Sequence, residues 1–128
     1  LFRSVTGKPI TIYGNGKQVR DLLYVDDLLD AYDLAFQNIE KTAGQIYNIG
    51  GGRPNSISIW QEFRPILEEE LGEKIPVSRE GWRPGDQKVF YADIEKAEQD
   101  FNWAPKTDVK TGINQLFDWV RENRALFL

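Results

Sequence analysis

The 128-residue sequence has no cysteine, no histidine and no methionine. Without cysteine there can be no disulfide framework, redox pair or thiolate zinc site. Without histidine, the commonest general base and the commonest transition-metal ligand are both missing. Any catalysis by these residues would have to rest on Asp, Glu, Lys, Tyr or Arg. Methionine is lacking even at position 1, and the chain opens mid-phrase on Leu1-Phe2-Arg3, so it reads as a trimmed piece of a longer protein. No apolar run approaches the roughly 20 residues of a membrane span, and no signal peptide is visible. A basic excess is absent as well. The net charge of -4 argues against a nucleic-acid surface, which needs a positive face.

What remains is the composition of an ordinary globular domain, 41% hydrophobic and 28% charged, long enough to bury a core. The stretch from Gly7 to Asp27 organises the reading. Residues 1–6 look like the end of a helix, and Gly7 with Pro9 stops it. Ile10-Thr11-Ile12-Tyr13 alternates and is β-branched or aromatic, which predicts a strand. Gly14-Asn15-Gly16 supplies a tight, hairpin-type turn, and Val19 to Val25 reads as a second strand. Asp26 is the expected N-cap of a helix to about Asn38, with Asp27 favourably placed against its dipole. Its apolar positions are Leu28, Ala31, Tyr32, Ala35, Phe36 and Ile39.

Further along, Gln45 to Ile49 reads as a short strand, and Gly50-Gly51-Gly52 with Pro54 as loop. Ser58-Ile59-Trp60-Gln61 fits a capping box for a helix to Leu71, with Gly72 ending it and Pro65 kinking it. Ile75 to Ser78 predicts a brief strand, residues 80–86 a loop, and Val89 to Ala92 extended chain. Asp93 should cap a short helix carrying Ile94, Ala97 and Phe101, which Trp103-Ala104-Pro105 breaks. Thr107 or Asp108 opens the last helix, with Ile113, Leu116, Phe117 and Val120 on one face. There is no internal repeat, low-complexity segment or linker. The class is mixed α/β.

Several motifs lose their chemistry on inspection. Tyr13 and Lys17 match Tyr-x-x-x-Lys, but Gly-Asn-Gly between them cannot hold the helix that would bring the two side chains together. Neither Gly14-x-Gly16 nor Gly50-Gly51-Gly52 completes G-x-G-x-x-G, since Val19 and Asn55 occupy the last positions. Both are expected to be turns. Glu68-Glu69-Glu70 reads as a solvated helix face, and capping explains Asp26-Asp27 better than a metal. Two arginines are harder to dismiss. Arg20, paired in sequence with Asp21, sits between Val19 and the apolar run Leu22-Leu23 on an extended segment, and Arg83 sits on a loop fixed by Pro84 and Gly85. A guanidinium on a rigid element suits bidentate capture of phosphate or carboxylate. The alternatives are a salt bridge from Arg20 to Asp21 or another neighbour, and a solvated loop charge at Arg83. Asp86 can accept hydrogen bonds from sugar hydroxyls.

These stretches also carry a family resemblance. Ile-Tyr-Gly-Asn-Gly-x-x-Val-Arg-Asp-x-x-Tyr-Val-Asp-Asp (12–27), Tyr-Asn-Ile-Gly (47–50), Arg-Pro-Gly-Asp (83–86), Ala-Asp-Ile-x-Lys-Ala (92–97) and Trp-x-Pro (103–105) occur in that order. Together they resemble the C-terminal, substrate-binding part of an extended short-chain dehydrogenase/reductase acting on nucleotide sugars. Residues 82–89 are most similar to the branch of CDP-paratose (CDP-tyvelose) 2-epimerases. The resemblance implies a cytoplasmic, NAD-dependent isomerase, active on a nucleotide-diphosphate sugar (a CDP-sugar for that branch), and a homo-oligomer. It implies that Arg20 and Arg83 grip the diphosphate, that Asp86 bonds the ribose, and that the backbone from Thr11 to Tyr13 lines the pyrimidine pocket. The family's Gly-rich NAD loop and catalytic Tyr-x-x-x-Lys lie N-terminal to anything present. Residues 1–128 would thus be one substrate-binding fragment with no catalytic or cofactor residue, inactive alone. A 4-epimerase, a 4,6-dehydratase and a non-catalytic binding module are the alternatives. In such enzymes residues 26–38 and 46–49 pack on the cofactor-binding half. The isolated chain is therefore expected to self-associate, or to loosen its first helix, to cover Leu28, Tyr32 and Ile49.

Overall fold

The computed structural model describes residues 2–127. The described elements are α1 (Phe2–Val5), β1 (Ile10–Tyr13), β2 (Val19–Asp21), α2 (Val25–Gln37), α3 (Ile39–Thr42), β3 (Ser56–Ser58), α4 (Phe63–Leu71), β4 (Val77–Glu80), α5 (Glu95–Phe101) and α6 (Val109–Glu122), followed by a 3-10 turn at Arg124–Phe127. The class is mixed α/β, as expected.

β1 forms where the alternation places it, but it does not pair with β2. It runs parallel to β4, with Ile10 opposite Val77 and Tyr13 opposite Glu80. β2 instead pairs antiparallel with β3, Val19 opposite Ser58 and Asp21 opposite Ser56. The expected hairpin is thus corrected to a turn that passes the chain from one small sheet to another. Gly14 and Gly16, at φ +71° and +74°, still supply the left-handed residues of that turn. Val19 is also bridged to Val89 on its other side, so residues 88–90 form a third rung beside β2.

Two clusters form the interior. Ile12, Trp60, Leu67, Ile75, Ile113 and Phe117 join β1, α4 and α6. Ala31, Ala97, Phe101 and Trp103 join α2 and α5. Helix α6 shows the clearest agreement between pattern and packing. Asp108 is its N-cap, accepting from the Thr111 N–H, and Ile113, Phe117 and Val120 are buried while Leu116 is exposed. Gly72 ends α4 in a left-handed conformation.

Other boundaries move for physical reasons. The second strand is shorter than expected, ending at Asp21, and the Leu22 N–H makes one further in-register bond to the Asn55 carbonyl. Helix α2 starts at Val25 with Tyr24 as N-cap, not Asp26. Asp27 is buried, but it caps nothing on its own helix. Its carboxylate accepts from the Lys106 and Thr107 N–H groups, and its carbonyl accepts from Trp103 Nε1, which fastens α2 to the turn before α6. Ser58 makes the reciprocal bonds of a capping box, but with Glu62 one residue later than expected. Helix α4 consequently begins at Phe63, and Pro65 falls in its first turn, where a missing N–H costs no helical bond. The N-cap of α5 is Ile94, not Asp93, although the Asp93 carboxylate still accepts from the Glu95 N–H. Residues 45–49 form no strand, and Ile46 is 85% exposed. Tyr32 and Phe36 of α2 and Ile39 of α3 face solvent, while Leu28 and Ala35 of α2 and Ile49 of the 45–49 segment are half-buried.

Candidate functional site

The site lies where the end of β1, the start of β2 and the 82–87 loop meet. The Trp82 indole lies so close against the Gly14 turn that a Cβ at Gly14 would overlap the ring. Beyond that turn the chain folds Gln18 inward, 1% exposed. Its Nε2 donates to the Tyr13 carbonyl at 2.8 Å and to Asp86 Oδ2 at 3.2 Å. Both partners are acceptors, so the amide nitrogen must face them. Gln18 Oε1 has no hydrogen-bond donor.

Arg20 is held on β2 at several points. Nη1 donates to the Val19 carbonyl at 2.7 Å, and Nη2 to the Gln87 carbonyl at 2.9 Å and to Asp86 Oδ1 at 3.3 Å. Arg83 approaches from the loop, its Nη2 3.7 Å from Asp86 Oδ2 and its Cζ 4.6 Å from the Tyr13 ring centroid. The two guanidinium groups therefore converge on one largely buried carboxylate, with side-chain exposures of 30% for Arg20 and 59% for Arg83. A pair of cations on one anion leaves a local positive surplus in a chain that is acidic as a whole. The Tyr13 face holds Arg83 by a cation–π contact, so the exposed arginine is also oriented.

This arrangement places each residue that the sequence singled out. Arg20, Arg83, Asp86 and Tyr13 come together. Thr11 shares the outer face of β1 with Tyr13 by strand alternation, but its Oγ1 accepts from the Ser78 hydroxyl at 2.9 Å and is not bonded to the Asp86 cluster. The proposed local Arg20–Asp21 pair does not form. Asp21 Oδ2 instead accepts from the Gly52 and Ala92 N–H groups, each at 3.0 Å. One carboxylate thus ties β2 to the glycine loop and to the segment after the 82–87 loop.

The glycine stretches act as turns. Added Cβ atoms at Gly50 and Gly51 would collide with the Asp21 carboxylate and the Leu22 carbonyl oxygen, so the chain itself fills that space. Such a loop does not fit a dinucleotide. Tyr13 and Lys17 flank a turn in which the Lys17 N–H donates to Asn15 Oδ1, and they share no helix. Among the described residues there is no acidic cluster able to hold a metal, and no helix is long and apolar enough to cross a membrane. Gln18 is the site residue that sequence reasoning missed. The available signal was period-two alternation, which sets Gln18 on the same side of the extended chain as Arg20.

Comparison with known proteins gives this geometry a context. Residues 3–116 match the model of the GDP-mannose 4,6 dehydratase family. The chain is 40% identical over 113 residues to the CDP-paratose 2-epimerase of Salmonella typhi, covering 88% of this chain and 33% of that protein. It is 36% identical to the UDP-glucuronate 4-epimerase of Thermodesulfobacterium geofontis, covering 93% and 35%. Among solved structures it is similar to the Bacillus cereus UDP-glucuronic acid 4-epimerase in complex with UDP-glucuronic acid and NAD. The TM-score there is 0.84 at 28% identity, covering 94% of this chain and 38% of that one. The Thermotoga maritima UDP-glucose 4-epimerase with UDP-glucose gives a TM-score of 0.82 at 32% identity, covering 95% and 38%. The chain spans about a third of the length of the curated relatives it matches.

Proposed function

The chain belongs to the GDP-mannose 4,6 dehydratase family of NAD-dependent nucleotide-sugar epimerases and dehydratases, and from that premise we propose that it is the substrate-binding, C-terminal part of a nucleotide-sugar epimerase of the extended short-chain dehydrogenase/reductase type. The observation that carries the reading is the convergence of Arg20 and Arg83 on Asp86 beside the Tyr13 ring. Two oriented guanidinium groups with surplus positive charge suit a diphosphate, whose oxygens accept forked N–H pairs. In this reading the diphosphate takes over the arginines and Asp86 turns to the ribose hydroxyls. The outer strand face at Thr11 and Tyr13 borders the base.

Bound NAD supplies the hydride chemistry of such enzymes. The Gly50–Gly52 loop is filled by the chain itself, and in this reading the cofactor site belongs to another part of the parent. The contribution of this chain is remote binding energy on the non-reacting end of the substrate. We assign the reaction as 2-epimerisation of a CDP-sugar, of the CDP-paratose type, because the relative at 40% identity carries that activity. A 4-epimerase or 4,6-dehydratase keeps the same grip on the diphosphate and changes the reacting carbon. The outward face of α2 and residues 46–49 would pack against the remainder of the parent.

Calorimetry on the chain with CDP, UDP and dTDP, against the corresponding nucleosides, tests the reading. Binding of a diphosphate at sub-millimolar concentration, with at least a tenfold preference over its nucleoside, is expected. Equal binding of the nucleoside and its diphosphate would remove the clamp. Failure of all three diphosphates at millimolar concentration would leave a non-catalytic module.

A further inference from the structure

Asp86 stands between two arginines, yet neither of them fixes which way its carboxylate faces. Arg83 reaches it across 3.7 Å from an exposed loop position, and Arg20 spends its shortest hydrogen bonds on backbone carbonyls. The buried contact is different. Gln18, 1% exposed, donates to Asp86 Oδ2 at 3.2 Å and at the same time to the Tyr13 carbonyl at 2.8 Å. The Gln18 amide therefore couples the last residue of β1 to a carboxylate that lies 68 positions beyond Gln18. The coupling is directional, because a primary amide nitrogen has two N–H groups and both are used.

We propose that Gln18 is a positioning residue of the nucleotide-sugar site: its amide orients Asp86 relative to Arg20 and Arg83, and holds the β1 end that carries Tyr13 under Arg83. This inference rests on the nucleotide reading of the site. The Gln18 amide keeps Asp86 Oδ2 anchored while Oδ1 exchanges Arg20 for a ligand hydroxyl. The carboxylate then rotates about a fixed point, and loss of the anchor leaves it free to stay on the arginines and compete with the diphosphate. The unpartnered Gln18 Oε1 fits this role. The side chain is kept buried for its two donors, at the cost of an unsatisfied acceptor.

The test replaces Gln18 with near-isosteric groups and measures CDP binding by calorimetry on the full 128-residue chain. Q18E places a carboxylate against Asp86 and the Tyr13 carbonyl, in a cluster whose other charged groups are Arg20 and Arg83. Relative to the wild-type chain at the same pH, Q18E should bind CDP about tenfold more weakly near pH 7.5. It should recover to within about threefold near pH 5.5, where the introduced carboxyl, raised by the facing carboxylate, is protonated and donates again. Q18M keeps length and volume without a donor. It should bind about fivefold more weakly at both pH values, and it serves if Q18E does not fold. A thermal midpoint within a few degrees of wild type shows that the fold is kept. Wild-type affinity in either variant, or the same loss in Q18E at both pH values, overturns the role of Gln18 while the clamp stands. Failure of the wild-type chain to bind any nucleoside diphosphate overturns the nucleotide reading, and this proposal with it.

Discussion

Replacing Asp21 should loosen the frame that presents Arg20 without touching Arg20 itself. Asp21 Oδ2 accepts two backbone N–H groups, from Gly52 and Ala92, each at 3.0 Å. Those donors lie 31 and 71 positions away, so the carboxylate closes two long loops at once. Hydrogen bonds to a charged acceptor contribute about 1.5–3 kcal/mol each when their partner is left unmade. The site is half-buried, so the lower end applies, and D21A should cost about 3 kcal/mol in total. For a chain of this size that corresponds to a fall in thermal midpoint of about 10 °C. D21N keeps a neutral oxygen where both donors point, and should cost only about 1 kcal/mol. Thermal and urea unfolding followed by circular dichroism would measure both. A loss below about 1 kcal/mol in D21A, or equal losses in D21A and D21N, would refute the idea that one charged acceptor carries this junction.

Three further predictions follow from particular contacts. G51A should be far more disruptive than G81A, since a Cβ at Gly51 meets the Leu22 backbone oxygen whereas Gly81 has open space around it; a urea midpoint for each variant decides this. R20K should weaken CDP binding by about tenfold with little change in stability, because a lysine cannot hold the Val19 and Gln87 carbonyls and a diphosphate together; calorimetry reads the first and thermal unfolding the second. The carboxyls of Glu62, Glu68 and Asp108 are all held below their ordinary values. The causes are hydrogen bonds from the Ser58 N–H, from the Arg64 side chain and from the Thr111 N–H respectively. Their stabilisation is complete above the ordinary carboxylate range and is lost as pH falls through the lowered folded-state values. The thermal midpoint should therefore drop between about pH 5 and pH 2, and less steeply in E68Q.

The parts of the fold that were legible are those whose signal is local. The alternation of Ile10 to Tyr13, the Asp108 cap with its 3.6-residue apolar face, and Gly72 each act within a few residues of themselves. Strand partners are not local. Gly14-Asn15-Gly16 is a sound turn, and nothing in it reveals that β1 pairs with Val77–Glu80 instead of the strand that follows. Asp26-Asp27 looked like a helix start because acidic residues suit that end. Burial of Asp27 against Lys106 and Thr107 depends on chain 79 and 80 residues away. Residues 45–49 have strand composition, but no described neighbour offers them an edge. At the site, the arginines stood out as charges in apolar or rigid surroundings. Gln18 did not, because a glutamine beside a turn has no unusual chemistry until its partners are seen.

The central claim is that Arg20 and Arg83 form two halves of a diphosphate grip whose place Asp86 holds in its absence. A crystal structure of this chain with CDP bound tests it most directly. The account predicts phosphate oxygens within about 3 Å of both guanidinium groups, with one Asp86 oxygen released toward the ribose and the other still on the Gln18 amide. Nucleotide bound elsewhere, with both arginines still paired to Asp86, would contradict it.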